Sequence, residues 1–193
     1  MSNRIITISR EFGSGGHTVG KKVAERLGIP CYDNELIKKI AEQSGFVEEY
    51  IKEEGEHVPQ SSWLASAFTG WNWNGPSNQD LLWTIQRNII LELAEKESCV
   101  IVGRCADFIL RDKNCLRVFI HASMEKRAVR IVNEYGERRE APEQRLKSKD
   151  KRRASYYRFY TDMKWGQSQN YHIALDSGEL GLDKCADIIC SLY

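Results

Sequence analysis

A short glycine-rich segment near the start of the chain has the residue types needed to bind an anion. It spans residues 10–18 and reads REFGSGGHT. A β-branched run precedes it and sequence of helical period follows, which predicts a turn between a strand and a helix. Glycines let the backbone approach a ligand closely, and consecutive N–H groups at a helix N-terminus attract negative charge. The predicted phosphate-binding residues are Gly13, Ser14, Gly15, Gly16, His17 and Thr18.

The cation that usually accompanies such a turn is missing from its usual place. The common phosphate-binding pattern, G-x-x-x-x-G-K-[ST], has a lysine directly after its second glycine. Here Gly16 stands in that place. The neutralising charge must come from elsewhere, and our candidate is Arg10, which stands where the pattern has its first glycine. The hydroxyls of Ser14 and Thr18 could bind a phosphate or a magnesium ion.

Apolar runs alternate with segments of helical period along the rest of the chain, which predicts a parallel sheet covered by helices on both faces. The predicted strands are residues 5–8, 29–32, 98–103, 115–122 and 171–176. Further helices are predicted at residues 34–43, 79–96, 123–135 and 182–192. In such a sheet, the first loop after the first strand is where mononucleotides bind.

Two segments interrupt the alternation, and each is predicted to be an excursion from a single domain covering residues 1–193. The first, about residues 45–78, is rich in tryptophan and glycine. We expect its tryptophans to form a small core and to offer a contact for a homodimer. The second, about residues 134–158, is dense in charge. Arg152 and Arg153 in it could close over phosphates as a cation clamp, although charged runs of this kind are often solvated helices.

Composition narrows the classes of function. A net charge of +1 over 193 residues gives no signal for nucleic acid or for a membrane surface. No apolar run approaches the roughly 20 residues that span a bilayer. The six cysteines are scattered, with no C-x-x-C pair. We therefore expect reduced thiols and a cytoplasmic protein.

The order of these motifs resembles the cytidylate kinase-like proteins, a branch of the P-loop nucleoside monophosphate kinases, over nearly the full chain. The resemblance is carried by ITISREFGSGGHTVGKKVAERLG, YDNELI, VIVGRCADFIL, RVFIHASMEKRAVRI, KDKRRASYYRFYTDMKWG and YHIALDSGELGLDKCADII. It implies a three-layer α/β fold with strand order 2-3-1-4-5, a monophosphate-binding excursion and a lid. The implied reaction is transfer of the γ-phosphoryl group of ATP, with magnesium, to a nucleoside monophosphate.

The resemblance also assigns roles to individual residues. Arg127 and Arg130 would contact the donor ATP. The residues expected to bind the acceptor are Asp33, Lys39 and Arg104. The residues that the loop and the charged segment themselves lead us to expect at the transferring phosphate are Arg10, Arg152 and Arg153.

The chain departs from the cytidylate kinase pattern at several charged positions. Gly16 replaces the loop lysine, Cys105 follows Gly-Arg where an aspartate is usual, and Arg153 replaces a lid carboxylate. Near Asp33, Asn34 and Glu35 replace a Ser-Gly pair. Three functions therefore stay open: a nucleoside monophosphate kinase, a kinase of a non-nucleotide metabolite, and a nucleotide-binding sensor without catalysis.

Overall fold

The computed structural model describes residues 3–33, 76–136, 138 and 140–193. The predicted helix at residues 34–43, with Lys39, lies outside the described residues. So does nearly all of the first excursion, including its tryptophans. The structure can therefore be compared with the sequence for the sheet, its covering helices and the second excursion.

Five parallel strands form the sheet, in the order β2-β3-β1-β4-β5. Their bounds are Ile5–Arg10 (β1), Cys31–Tyr32 (β2), Cys99–Val102 (β3), Cys115–His121 (β4) and Ile173–Asp176 (β5). The predicted fold class and strand order are confirmed. β3 is buried along its whole length, as expected of an apolar run covered on both faces.

Helices follow or precede each strand. They are Gly16–Leu27 (α1), Pro76–Lys96 (α2), Ala106–Ile109 (α3), Met124–Asn133 (α4), Pro142–Thr161 (α5), Ser177–Leu180 (α6) and Leu182–Ser191 (α7), with a 3-10 turn at Ser168–Asn170. The Ser123 side chain caps α4 by accepting from the Lys126 N–H. The second excursion is thus largely a helix, α5.

The sheet separates two apolar clusters. Ile5 and Ile101 face one cluster, which α2 and α3 cover, whereas Ile6 and Ile8 face the other, which α1 and α7 cover. This alternation follows from the two-residue period of a strand. All six cysteines are free thiols, and four of them are buried. With both faces filled, the carboxyl ends of the strands are the open edge of the sheet, where ligands bind in folds of this type.

A buried carboxylate ties α5 to the sheet. Asp107 accepts hydrogen bonds from the Ser9 hydroxyl at 3.0 Å and from the Tyr157 hydroxyl at 2.7 Å. It is 2% exposed, and burial raises the pKa of its carboxyl. Because Ser9 lies in β1 and Tyr157 in α5, this network fixes the second half of α5 beside the strand that leads into the glycine turn.

We expect Tyr157→Phe to lower the free energy of unfolding by about 1–3 kcal/mol, because the buried Asp107 carboxylate then loses one of its two side-chain donors. Urea denaturation measures the change. Phe159→Leu on the same helix is the control, since Phe159 is 68% exposed and its replacement should cost far less. Equal losses in the two variants would contradict a stabilising role for the buried network.

Candidate active site

The turn between β1 and α1 lines a cavity of about 260 Å³. Gly13 and Gly15 adopt left-handed backbone conformations, with φ of 77° and 78°. The Ser14 N–H and hydroxyl both donate to the Glu11 carbonyl, at 3.3 and 2.9 Å, which closes the turn. Gly15 caps α1 without a side chain, so the N–H groups of its first turn receive no side-chain cap. The backbone is therefore arranged to bind an anion.

The cavity brings together most of the residues predicted to bind phosphate. It is lined by Gly13, Gly15, Gly16, His17 and Thr18, with Arg10, Glu11, Phe12, Tyr135 and Arg153. Ser14 is fully buried behind the turn. The Thr18 hydroxyl is hydrogen-bonded to Tyr135.

Arg10 supplies a cation to this cavity from the end of β1. Its side chain passes Gly16 and reaches Gly103, which directly follows β3. Burial, together with the charges of Arg153 and Arg104, lowers the pKa of Arg10 to about 9. Asp33 opposes this effect. Within the described part of the chain, the Arg10 guanidinium has no carboxylate in a salt bridge, so positive charge accumulates beside the glycine turn.

Arg153 approaches the same place from α5. Its Nη1 donates to the Arg10 carbonyl at 2.8 Å, and its guanidinium carbon lies 5.4 Å from the centre of the Phe12 ring. Burial lowers the pKa of Arg153, and the charge of Arg104 lowers it further. Arg152, its neighbour, is exposed and does not border the cavity. The structure thus brings Arg153 of the predicted clamp to the glycine turn, and not Arg152.

A carboxylate holds α5 on the turn. Asp150 accepts from the Phe12 N–H at 2.7 Å and from Arg127 Nη1 at 2.5 Å. Leu146, one turn earlier, is fully buried, and its methyl carbon would lie 3.1 Å from a Cβ built on Gly13. The helix predicted to act as a lid is therefore docked on the glycine turn in this structure.

The two arginines of α4 bind the backbone of the turn. Arg127 is 5% exposed and donates to the Phe12 carbonyl at 3.2 Å, while Arg130 donates to the Gly13 carbonyl at 3.0 Å. Arg127 Nε also lies 3.4 Å from the Glu11 carboxylate, whose pKa is raised by burial. Their predicted contact with ATP stays a prediction, because in this structure both arginines position the turn.

The acceptor residues predicted on the described chain lie at the strand ends beside the turn. Asp33 follows β2, and its carboxylate is 2.8 Å from His17 Nε2. Gly103, Arg104 and Cys105, which follow β3, are three consecutive left-handed residues with φ of 79°, 58° and 54°. Each of the two non-glycine residues costs about 1–2 kcal/mol of strain. Backbone strain of this kind clusters at functional sites, where the surrounding structure holds it.

Sequence reasoning missed the residues that position the cations. Glu11, Phe12 and Tyr135 line the cavity, and Asp150 docks α5 on the turn. Glu11 and Phe12 lie within the predicted loop, so the sequence could have identified them as cavity residues from that position. The Asp150 contact joins residues 138 positions apart, and nothing local in the sequence marks it.

The sheet order and the glycine turn at its open edge define a P-loop phosphotransferase. Comparison with known proteins gives the family. The model of the cytidylate kinase-like family matches residues 5–179, and the chain belongs to that family. The protein is thus a phosphotransferase whose family implies a nucleotide and a small substrate as ligands.

Individual relatives are similar over nearly the whole chain. A cytidylate kinase from Archaeoglobus fulgidus is 26% identical over 187 residues, covering 95% of this chain and 91% of that protein. The crystal structure of an uncharacterized protein from Eubacterium ventriosum is 33% identical, covers 98% of each chain and superposes with a TM-score of 0.75. A gluconokinase from Sinorhizobium meliloti shares the fold at 16% identity, with a TM-score of 0.59 and coverage of 98% and 93%. Among the described residues, no helix is long and apolar enough to cross a membrane.

We expect Asp150→Asn to loosen α5 from the glycine turn, because the amide cannot replace the charge-assisted bond to buried Arg127. Hydrogen exchange on the nucleotide-free protein should show faster exchange, by about tenfold or more, across residues 146–157. Glu143→Gln, an exposed carboxylate on the same helix, should leave those rates unchanged. Rapid exchange of α5 already in the wild-type protein would contradict the docked arrangement.

Arg10→Gln should stabilise the ligand-free protein. The pKa of Arg10 is lower folded than unfolded, so its charge costs stability at neutral pH, a cost relieved only above the folded-state pKa. We expect the free energy of unfolding to rise by about 1 kcal/mol or more. The same variant should lose the rise in Tm that sulfate gives the wild-type protein at constant ionic strength.

Exposed Arg87→Gln is the control for that comparison, since Arg87 lies on α2 and does not border the cavity. It should leave both the stability and the sulfate effect unchanged. An Arg10→Gln protein that sulfate still stabilises like the wild type would show that Arg10 is not part of the anion site.

Proposed function

We propose that the protein transfers the γ-phosphoryl group of ATP to a small acceptor, with a nucleoside monophosphate as the first candidate. The observation that carries the proposal is the approach of Arg10, Arg104 and Arg153 to one another beside the glycine turn. Phosphoryl transfer needs positioned phosphates and a cation clamp, and asks little covalent chemistry of the protein. A group of mutually repelling guanidiniums is stabilised by an anion placed among them.

Each part of the site has a task in this reaction. The N–H groups at the start of α1 bind the donor phosphates, and Arg10 and Arg153 neutralise charge on the transferring group. The residues proposed to bind the acceptor are Asp33, Lys39 and Arg104. Docked α5 holds Arg153 in place before the nucleotide arrives, so the clamp is assembled in advance.

Magnesium fits the site as a companion of the nucleotide. The described residues contain no cluster of three or more histidine, cysteine, aspartate or glutamate side chains suited to a metal. Mg²⁺ commonly binds through substrate phosphates and retained waters, with few protein ligands. Thr18 could add a hydroxyl ligand if it exchanges its bond with Tyr135 for one to the ion. Bound magnesium would neutralise phosphate charge and orient the donor.

A kinase of a non-nucleotide metabolite is the second candidate. The observation that favours it is the altered acceptor segment, where Asn34 and Glu35 follow Asp33 in place of a Ser-Gly pair. A sensor without turnover is the third, motivated by the missing loop lysine. The homodimer contact and the cytoplasmic location stay predictions, because the tryptophan-rich segment lies outside the described residues.

The first experiment is a turnover assay with magnesium, ATP and a panel of ribo- and deoxyribonucleoside monophosphates. We expect ADP and one new diphosphate to appear in equal amounts, at a rate proportional to protein. ATP-dependent thermal stabilisation without any diphosphate would reject the nucleoside monophosphate acceptor and favour the other two candidates.

The same assay tests the clamp. Arg153→Ala should lower kcat by about 100-fold or more, because it removes a cation preorganised at the developing charge. Arg158→Ala is the matched control, an exposed arginine on the same helix that does not border the cavity. It should retain the wild-type rate. A fully active Arg153→Ala enzyme would remove Arg153 from the proposed mechanism.

A further inference from the structure

Two glycines flank the Arg10 side chain, Gly16 beside its stem and Gly103 beside its guanidinium. A Cβ built on Gly16 would lie 2.5 Å from the Arg10 Cβ and 2.9 Å from its Cγ. A Cβ built on Gly103 would lie 1.9 Å from Arg10 Nη1. Non-bonded carbons normally approach only to about 3.5–4.0 Å. Arg10 therefore occupies the space that a side chain at position 16 would need.

Space, and not backbone conformation, requires glycine at position 16. Gly16 is the first residue of α1, and its φ is not in the left-handed region, unlike that of Gly13 and Gly15. An alanine or a lysine could adopt this backbone conformation. The Arg10 stem stands in the way, whereas the Ile120 Cβ would be at an ordinary contact distance of 3.4 Å. That stem exists because position 10 is not glycine.

The usual phosphate loop has the opposite arrangement at the same two places. Aligned on G-x-x-x-x-G-K-[ST], its first glycine falls at position 10 and its lysine at position 16. We propose that Arg10 and Gly16 are a reciprocal exchange of that glycine and that lysine. One long cation fills one space in both arrangements, and here it starts from β1 instead of α1. The role of this cation in binding phosphate rests on the proposed function; the packing does not.

The exchange moves the charge toward the acceptor. Arg10 reaches Gly103 beyond the end of β3, directly before Arg104 in the chain, and the Arg10 carbonyl accepts a hydrogen bond from Arg153 at 2.8 Å. A guanidinium also presents several donors in one plane, whereas an ammonium is a compact point charge. Arg10 is thereby placed between the glycine turn and Arg104, where it can hold the phosphoryl group that passes from donor to acceptor.

The shared space is tested by stability, without any assay of activity. Gly16→Ala should lower Tm by about 5 °C in the wild-type background, because the new methyl meets the Arg10 stem. In the Arg10→Gly background it should raise Tm slightly, since alanine is the better helix former. Gly20→Ala on the same helix is the matched control. Its Cβ would meet Val102 at 2.8 Å, so its cost should be the same in both backgrounds.

Triphosphate binding and turnover test whether a cation at position 16 can replace the one at position 10. Arg10→Gly and Gly16→Lys alone should each weaken the binding of inorganic triphosphate about 100-fold, measured by calorimetry. The double variant Arg10→Gly/Gly16→Lys should recover at least tenfold of that loss. Its kcat/KM with ATP should recover in parallel.

Each outcome supports or overturns the proposed exchange between positions 10 and 16. An equal cost of Gly16→Ala in the two backgrounds would overturn it, and so would a double variant that binds triphosphate no better than Arg10→Gly. A sign change in stability with recovered triphosphate binding would support it. If that support came while the wild-type protein phosphorylated no acceptor, the exchange would stand and the proposed function would fail.

Discussion

The site depends on bringing the guanidinium groups of Arg10, Arg104 and Arg153 close to one another at the open edge of the sheet. Burial lowers the pKa of Arg10 and of Arg153, and the charge of Arg104 lowers both further. Such an arrangement is unfavourable by itself, and it persists only if the rest of the fold over-determines it. The other contacts of α5 and of the strand ends stabilise this arrangement of guanidinium groups.

The fold divides its arginines between two uses. Arg127 is paired with Asp150 and Glu11, and it donates to the Phe12 carbonyl. It therefore holds the turn and α5 together. Arg10 and Arg153 border the cavity instead. Asp150 and Glu11 thus neutralise Arg127, whereas Arg10 and Arg153 form no salt bridge within the described part of the chain. In the proposed reaction, this division would place positive charge where negative charge develops.

Sequence patterns predicted the sheet and the turn because those depend on local information. Apolar runs marked all five strands, and the glycines marked the turn. The second excursion was predicted as a charged lid, and its helix is docked because Leu146 and Tyr157, three turns apart, share a buried face. That spacing was legible, but the surrounding charges obscured it. The bond between Asp150 and the Phe12 N–H depends on tertiary approach, which no local pattern contains.

The packing around Arg10 gives a structural explanation for the absence of the loop lysine. A position-by-position comparison would interpret Gly16 as the loss of the lysine and Arg10 as an unrelated substitution. The structure shows that the Arg10 stem fills the space that a side chain at position 16 would need, and that the guanidinium lies where a Cβ on Gly103 would stand. Positions 10, 16 and 103 therefore form one unit, and a change at any of them has to be judged with the other two. Loss of a lysine from a phosphate loop is weak grounds for inferring loss of catalysis when a neighbouring strand can supply the charge through the same space.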